Sequence, residues 1–193
     1  MAIKTESFEH VEVASEAALW AWLEGHHRQD EAVWLVTYKK VVPEKYLATS
    51  AVLDALIAYG WVDGIRRKLD DTRTMQLIAP RKTQAWAASY KARADTLGRD
   101  GRMQPAGRSA VEAGKASGLW SFFDDVDQLI VPNDLAAALR ERPPAATHFE
   151  GFAPSARRNI LRWIKIAKTG ATRMKRIAQA ADLAQENRKP PQM

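Results

Sequence analysis

The sequence predicts an α+β protein: a small antiparallel sheet with packed helices in an N-terminal region, 1–125, followed by a helical C-terminal module, 126–188. Three observations carry this reading. Three short runs before residue 80 are rich in β-branched and aromatic residues and are bounded by turn chemistry. From Gln84 onward nearly every apolar residue recurs at helical spacing. Pro143-Pro144 is the sharpest break in the chain, and basic charge gathers beyond it.

The elements follow in order. "SEAALWAWLEG" (15–25) has Ser15 to cap a helix, Leu19, Trp20, Trp22 and Leu23 as its apolar stripe, and Gly25 to end it. "AVWLVTYKK" (32–40) alternates apolar residues on both faces, which predicts a strand at least partly covered on each side. "TSAVLDALIAYG" (49–60) places Leu53, Leu56 and Ile57 on one helical face, with Thr49 or Ser50 as cap and Gly60 as terminator. "VDGIRRKL" (62–69) and "RTMQLIA" (73–79), joined by Asp-Asp-Thr, predict a hairpin that Pro80 closes. "QAWAASYKARADTL" is expected to be helical up to Gly98, and "GRMQPAG" (101–107) to be a loop before another short helix. Pro132 opens "LAAALRER". "FAPSARRNILRWIKIAK" and "TGATRMKRIAQAADLAQENR" are two helices joined near Gly170, and residues 189–193 are expected to fray.

The 193 residues are 46% hydrophobic, with seven Trp, which is the composition of a folded domain. There is no Cys, which excludes disulfides, thiolate nucleophiles and Cys-bound metals. The opening "MAIKTESFEHVEV" carries charges where a signal peptide needs an apolar run, and no stretch suits membrane insertion, so a cytoplasmic protein is expected. The net charge of +6 is uneven. Residues 151–193 hold ten Lys/Arg against two acids, while the first 150 hold 19 basic and 21 acidic residues. An anionic partner is therefore expected to favour the C-terminal helices.

Two places merit a chemical reading. In "GWVDGIRRKLDDTRTMQLIAPRK", strand alternation sets Ile65, Arg67 and Leu69 on one face and Arg66 and Lys68 on the other. If Ile65 and Leu69 face the core, Arg67 turns inward, where Asp63 can pair with it. A bulge at Gly64 would exchange the faces and bring Arg66 in instead. The functional alternative gathers Arg67, Arg81 and Lys82 into a cationic cleft walled by Trp61 and Trp86, suited to a small anionic or planar ligand, with Asp63 orienting an arginine. In an enzyme reading Asp63 acts as a general acid or base, but no substrate is named and no catalytic residue is assigned. "GRMQPAG" either aims backbone N–H groups at an anion near Arg102 or is a tight loop with Arg102 in a salt bridge and Met103 filling a gap. It matches no nucleotide fingerprint, the four histidines form no metal-ligand spacing, and no cofactor is indicated.

The second place is the C-terminal helices. Ile160, Trp163, Ile164 and Ala167 share one face of 156–168, and Arg158, Arg162 and Lys165 lie opposite. Met174, Ile177, Ala178, Ala181 and Ala184 make the apolar face of the last helix. The basic face is either a solvated surface or a contact for nucleic-acid phosphate without base specificity; acidic lipid is disfavoured because packing already uses the apolar faces.

"GWVDGIRRKLDDTRTMQLIAPRK", "GRMQPAG" and "SARRNILRWIKIAKTGATRMKRI", in that order, resemble the bacterial YdeI/OmpD-associated family, also labelled bacteriocin-protection proteins, from about Trp20 to Leu183. The resemblance implies an α+β part followed by a helical module, a stress or resistance setting, and no established biochemical activity. A protein partner is as compatible with it as a small ligand, and it does not fix an oligomeric state. The sequence departs from the family pattern at two points. Ala87 follows Trp86 and Tyr90 stands at an expected Asn, and Ala171 precedes Thr172-Arg173 where Glu is expected.

Overall fold

A computed structural model describes residues 7–189, so the expected fraying of 190–193 lies outside the described residues. Two compact units divide between Ser121 and Phe122. The first contains strand β1 (His10–Glu12), helix α1 (Glu16–His26), β2 (Val33–Tyr38), α2 (Thr49–Ala58), β3 (Trp61–Lys68), β4 (Arg73–Pro80), α3 (Ala88–Arg99) and α4 (Pro105–Ala116). The second contains α5 (Asp124–Asp127), α6 (Asn133–Arg140), α7 (Ala145–Gly151), α8 (Pro154–Lys165) and α9 (Gly170–Gln185). The fold class is therefore α+β with a helical C-terminal part. None of the described helices is long and apolar enough to cross a membrane.

The sheet has strand order β1-β2-β4-β3. The β2/β4 and β4/β3 pairs are antiparallel, as expected, but β1 joins β2 in parallel, with Val11 opposite Leu35. A parallel neighbour needs a crossover, and α1 supplies it. The inner face carries Leu35, Ile78 and Trp61 into a core with Leu19 and Leu23 of α1, Leu56 and Ile57 of α2, and Leu97 of α3. Burial of each Leu or Ile stabilises the unit by roughly 1.5–3 kcal/mol. All of β2 up to Thr37 is buried, so the expectation of cover on both faces holds.

Three local expectations change. Gly25 does not end α1, which continues to His26. The His26 Nδ1 is 2.8 Å from the Trp22 carbonyl and the His27 Nδ1 is 2.9 Å from that of Glu24, so imidazoles serve the last-turn acceptors that a glycine cap would otherwise leave to backbone. Neither Thr49 nor Ser50 makes a capping bond at the start of α2, where Ala48 takes the cap position. Residues 84–87 are not helical, so Trp86 precedes its helix, while Pro105 within "GRMQPAG" already belongs to α4.

Glycines set the close approach of α4 to α2. A Cβ on Gly107 would stand 2.3 Å from the Ala58 carbonyl oxygen, and Gly60, at φ +73°, lies under the Ala106 carbonyl. The hairpin turn is held by Asp70, whose Oδ1 accepts the N–H groups of Thr72 (2.8 Å) and Arg73 (2.7 Å).

In the second unit, Ile160, Leu161 and Ile164 of α8 and Ile177, Ala180, Ala181 and Ala184 of α9 are buried. Met174, expected on the apolar face, is 68% exposed. The Thr169 hydroxyl caps α9 by accepting the Thr172 N–H, and Arg173 grips Asp134 with two nitrogens at 2.7 and 3.0 Å.

Candidate functional site

The hairpin decides which arginine turns inward. The β3/β4 register shifts between Asp63 and Arg66, so a bulge at Gly64-Ile65 exchanges the faces downstream. Arg66 pairs across from Gln76 on the inner face, and its Nη2 donates to the Gln76 Oε1 at 2.5 Å. Ile65 is half exposed, and Arg67 lies on the other face, its guanidinium 5.2 Å from the Trp34 ring centroid. The Asp63–Arg67 pair does not form. Asp63 instead accepts hydrogen bonds from the Tyr90 hydroxyl and from Gln76 Nε2 (2.9 Å). Gln76 is buried, so these bonds meet the requirement that a buried amide be satisfied.

Trp61 and Trp86 are not open walls, since each is at most 1% exposed. The Trp61 indole N–H donates to the His27 carbonyl at 3.3 Å and its ring meets Trp22 edge-on. Trp86 packs against Trp120, and Gly114 makes room for its indole. Lys82 is exposed and pairs with Asp30 at 2.7 Å.

Arg81 is different. Its guanidinium carbon lies 4.1 Å from the Trp86 centroid and 5.4 Å from that of Tyr90. One Nη donates to the Gln84 carbonyl (3.1 Å), while the buried Nε has no hydrogen-bond partner. Among the described residues no carboxylate forms a salt bridge with it. Burial pulls the Arg81 pKa below the usual arginine value, and the charge of Asp63 and the proximity of Tyr90 only partly oppose this.

Arg81 lines a cleft of about 530 Å³ with residues from four other segments: His27 and Arg28 after α1, Tyr59 and Gly60 after α2, Pro80 at the end of β4, and Pro105, Ala106, Ser109 and Ala110 of α4. Of the predicted ligand residues only Arg81 reaches it. Arg28 and Ser109 carried no local motif. The visible signals were Gly60, which lets the chain turn sharply after α2, and the Pro-Arg-Lys triplet itself.

"GRMQPAG" takes the tight-loop form. Arg102 bonds Glu16 at 2.8 Å and covers Trp20, Met103 is buried, and the Arg108 side chain closes onto the Met103 carbonyl. The C-terminal basic face is largely spoken for within its own unit. Lys165 pairs with Asp125 at 2.5 Å, Arg158 lies 3.6 Å from Asp127, and Arg162 covers the Phe123 ring. Of the two sequence departures, Tyr90 gains a role as the donor to Asp63, whereas Ala171 is exposed in the first turn of α9.

Residues 11–110 match the family described as a domain of unknown function, DUF8412. Residues 128–187 match the family described as bacteriocin-protection, YdeI or OmpD-associated. The hairpin and "GRMQPAG" thus fall in the first match and the last basic stretch in the second. No curated protein and no solved structure matches the chain.

Proposed function

We propose that this chain, which belongs to the DUF8412 family and through residues 128–187 to the bacteriocin-protection, YdeI or OmpD-associated family, binds a small anionic ligand in the cleft beside Arg81. One observation carries the proposal: a partly buried guanidinium held beside two aromatic rings, its Nε buried without a partner and no carboxylate in a salt bridge with it among the described residues. An uncompensated buried charge is costly, and an anion at its open end offsets that cost. The rings of Trp86 and Tyr90 fix the guanidinium plane, and Asp63 fixes Tyr90. Arg81 is thus pre-organised, which lowers the entropy lost on binding. Arg28 adds a second cation, and Tyr59, Pro80 and Pro105 give neutral surface for the remainder of a ligand. We place this binding in the stress or resistance setting suggested by the second family's name.

The test is a thermal-shift screen of anionic metabolites on the native chain and on Arg81→Met. Binding through this cleft gives saturable shifts that Arg81→Met removes. Shifts of equal size in both proteins would put the ligand elsewhere.

A further inference from the structure

We infer that the cleft beside Arg81 takes a phosphate monoester, an inference that rests on the anion-binding reading above and names its ligand class. Two arginines, Arg28 and Arg81, line the cleft, and no Asp or Glu is among its walls. Asp63, the acid whose charge acts on Arg81, is already committed to Tyr90 and Gln76. The walls therefore offer two formal positive charges and no acid, and Asp63, outside the walls, offsets only part of the charge on Arg81. A monocarboxylate matches one of them. An amino acid or other zwitterion brings an ammonium that finds only cations. A phosphate monoester carries about −1.5 to −2 at neutral pH and matches both.

The remaining donors suit tetrahedral oxygens better than a planar carboxylate. The Ser109 hydroxyl belongs to the same wall. The wall is also the first turn of the twelve-residue α4, whose cap residue Gln104 makes no side-chain bond to the helix and whose first residue is a proline. Among the described residues nothing accepts the Ala106 N–H, and Pro105 and Ala106 of this first turn line the same cleft as the arginines. A cavity of about 530 Å³ is much larger than bare phosphate needs. An organic group thus has room against Tyr59 and Pro80, which favours a monoester over the inorganic ion.

Thermal shift and calorimetry with three probes, phenyl phosphate, inorganic phosphate and benzoate, test this on the full chain. The variants are Arg28→Ala and Ser109→Asp. Both positions are exposed, so neither change disturbs the Arg81 stack, and Ser109→Asp sets a carboxylate opposite the phosphate. Phenyl phosphate is expected to bind most tightly and benzoate most weakly, and each variant should weaken phenyl phosphate by about tenfold or more, the scale of one charge-assisted hydrogen bond. If benzoate binds as well as phenyl phosphate and Arg81→Met abolishes it, the phosphate class is wrong while the anion cleft stands. If no probe binds, or phenyl phosphate binds both variants as it binds the native chain, the cleft itself is wrong.

Discussion

Arg81 lies over Trp86 at 4.1 Å from guanidinium carbon to ring centroid, and its buried Nε has no acceptor. Two effects oppose one another there. The cation–π contact is worth up to about 2 kcal/mol when desolvated, whereas removing a charge partly from water without a salt-bridge partner carries a cost that Asp63 offsets only in part. The two largely cancel, so Arg81→Met should leave the melting temperature little changed while removing ligand binding. A fall of many degrees would mean that Arg81 is structural and that its charge is already satisfied.

Glycines separate packing from conformational cost. A Cβ on Gly107 meets the Ala58 carbonyl at 2.3 Å and one on Gly114 meets the Trp86 indole nitrogen at 2.6 Å, while Gly25 has nothing within 4 Å. Gly107→Ala and Gly114→Ala should each destabilise by about 1–3 kcal/mol through overpacking. Gly25→Ala, inside α1, should stabilise by about 0.5–1 kcal/mol. Urea denaturation of the three variants measures both signs.

The Arg173 side chain, hydrogen-bonded to Asp134, holds that carboxyl below the usual aspartate pKa, more than offsetting the opposing effect of burial. A depressed folded-state pKa gives stability that is present above the unfolded value, near 3.9, and is lost as pH falls through the folded value. Both side chains retain solvent contact, so screening limits the effect to about 1 kcal/mol. Asp134→Asn should therefore destabilise the C-terminal unit at pH 7, and the difference from the native chain should vanish at the acid end of a pH-dependent denaturation series. A gap that persists at the lowest pH would assign the loss to packing.

The basic face of α8 gives a prediction of opposite sense. Because Asp125 and Asp127 lie against Lys165 and Arg158, Asp125→Asn with Asp127→Asn should free two cations. That variant should elute from heparin at higher salt than the native chain. Equal elution would mean that the two cations already face polyanions freely.

The apolar periodicities were legible. Leu19 and Leu23, Leu56 and Ile57, and Ile160 and Ile164 all lie in the cores to which their spacing assigned them. Local chemistry without periodicity was less so. β1 is three residues long with His10 and Glu12 flanking one buried Val11, too short to show alternation. Gly25 looked like a helix end because the capping done by His26 and His27 depends on side-chain rotamers. The bulge at Gly64 was an open alternative in the sequence, and only the pairing of Arg66 with Gln76 resolves it. The cleft was legible only at Arg81, because Arg28, Gly60 and Ser109 come from separate segments that the fold brings together.

The most direct measurement is a ¹H–¹⁵N spectrum of the native chain titrated with phenyl phosphate. Saturable shifts of the Arg28, Gly60 and Ala106 amides, with those of α8 and α9 unmoved, are the predicted result. Shifts confined to α8 and α9, or none at all, would contradict an anion site at Arg81.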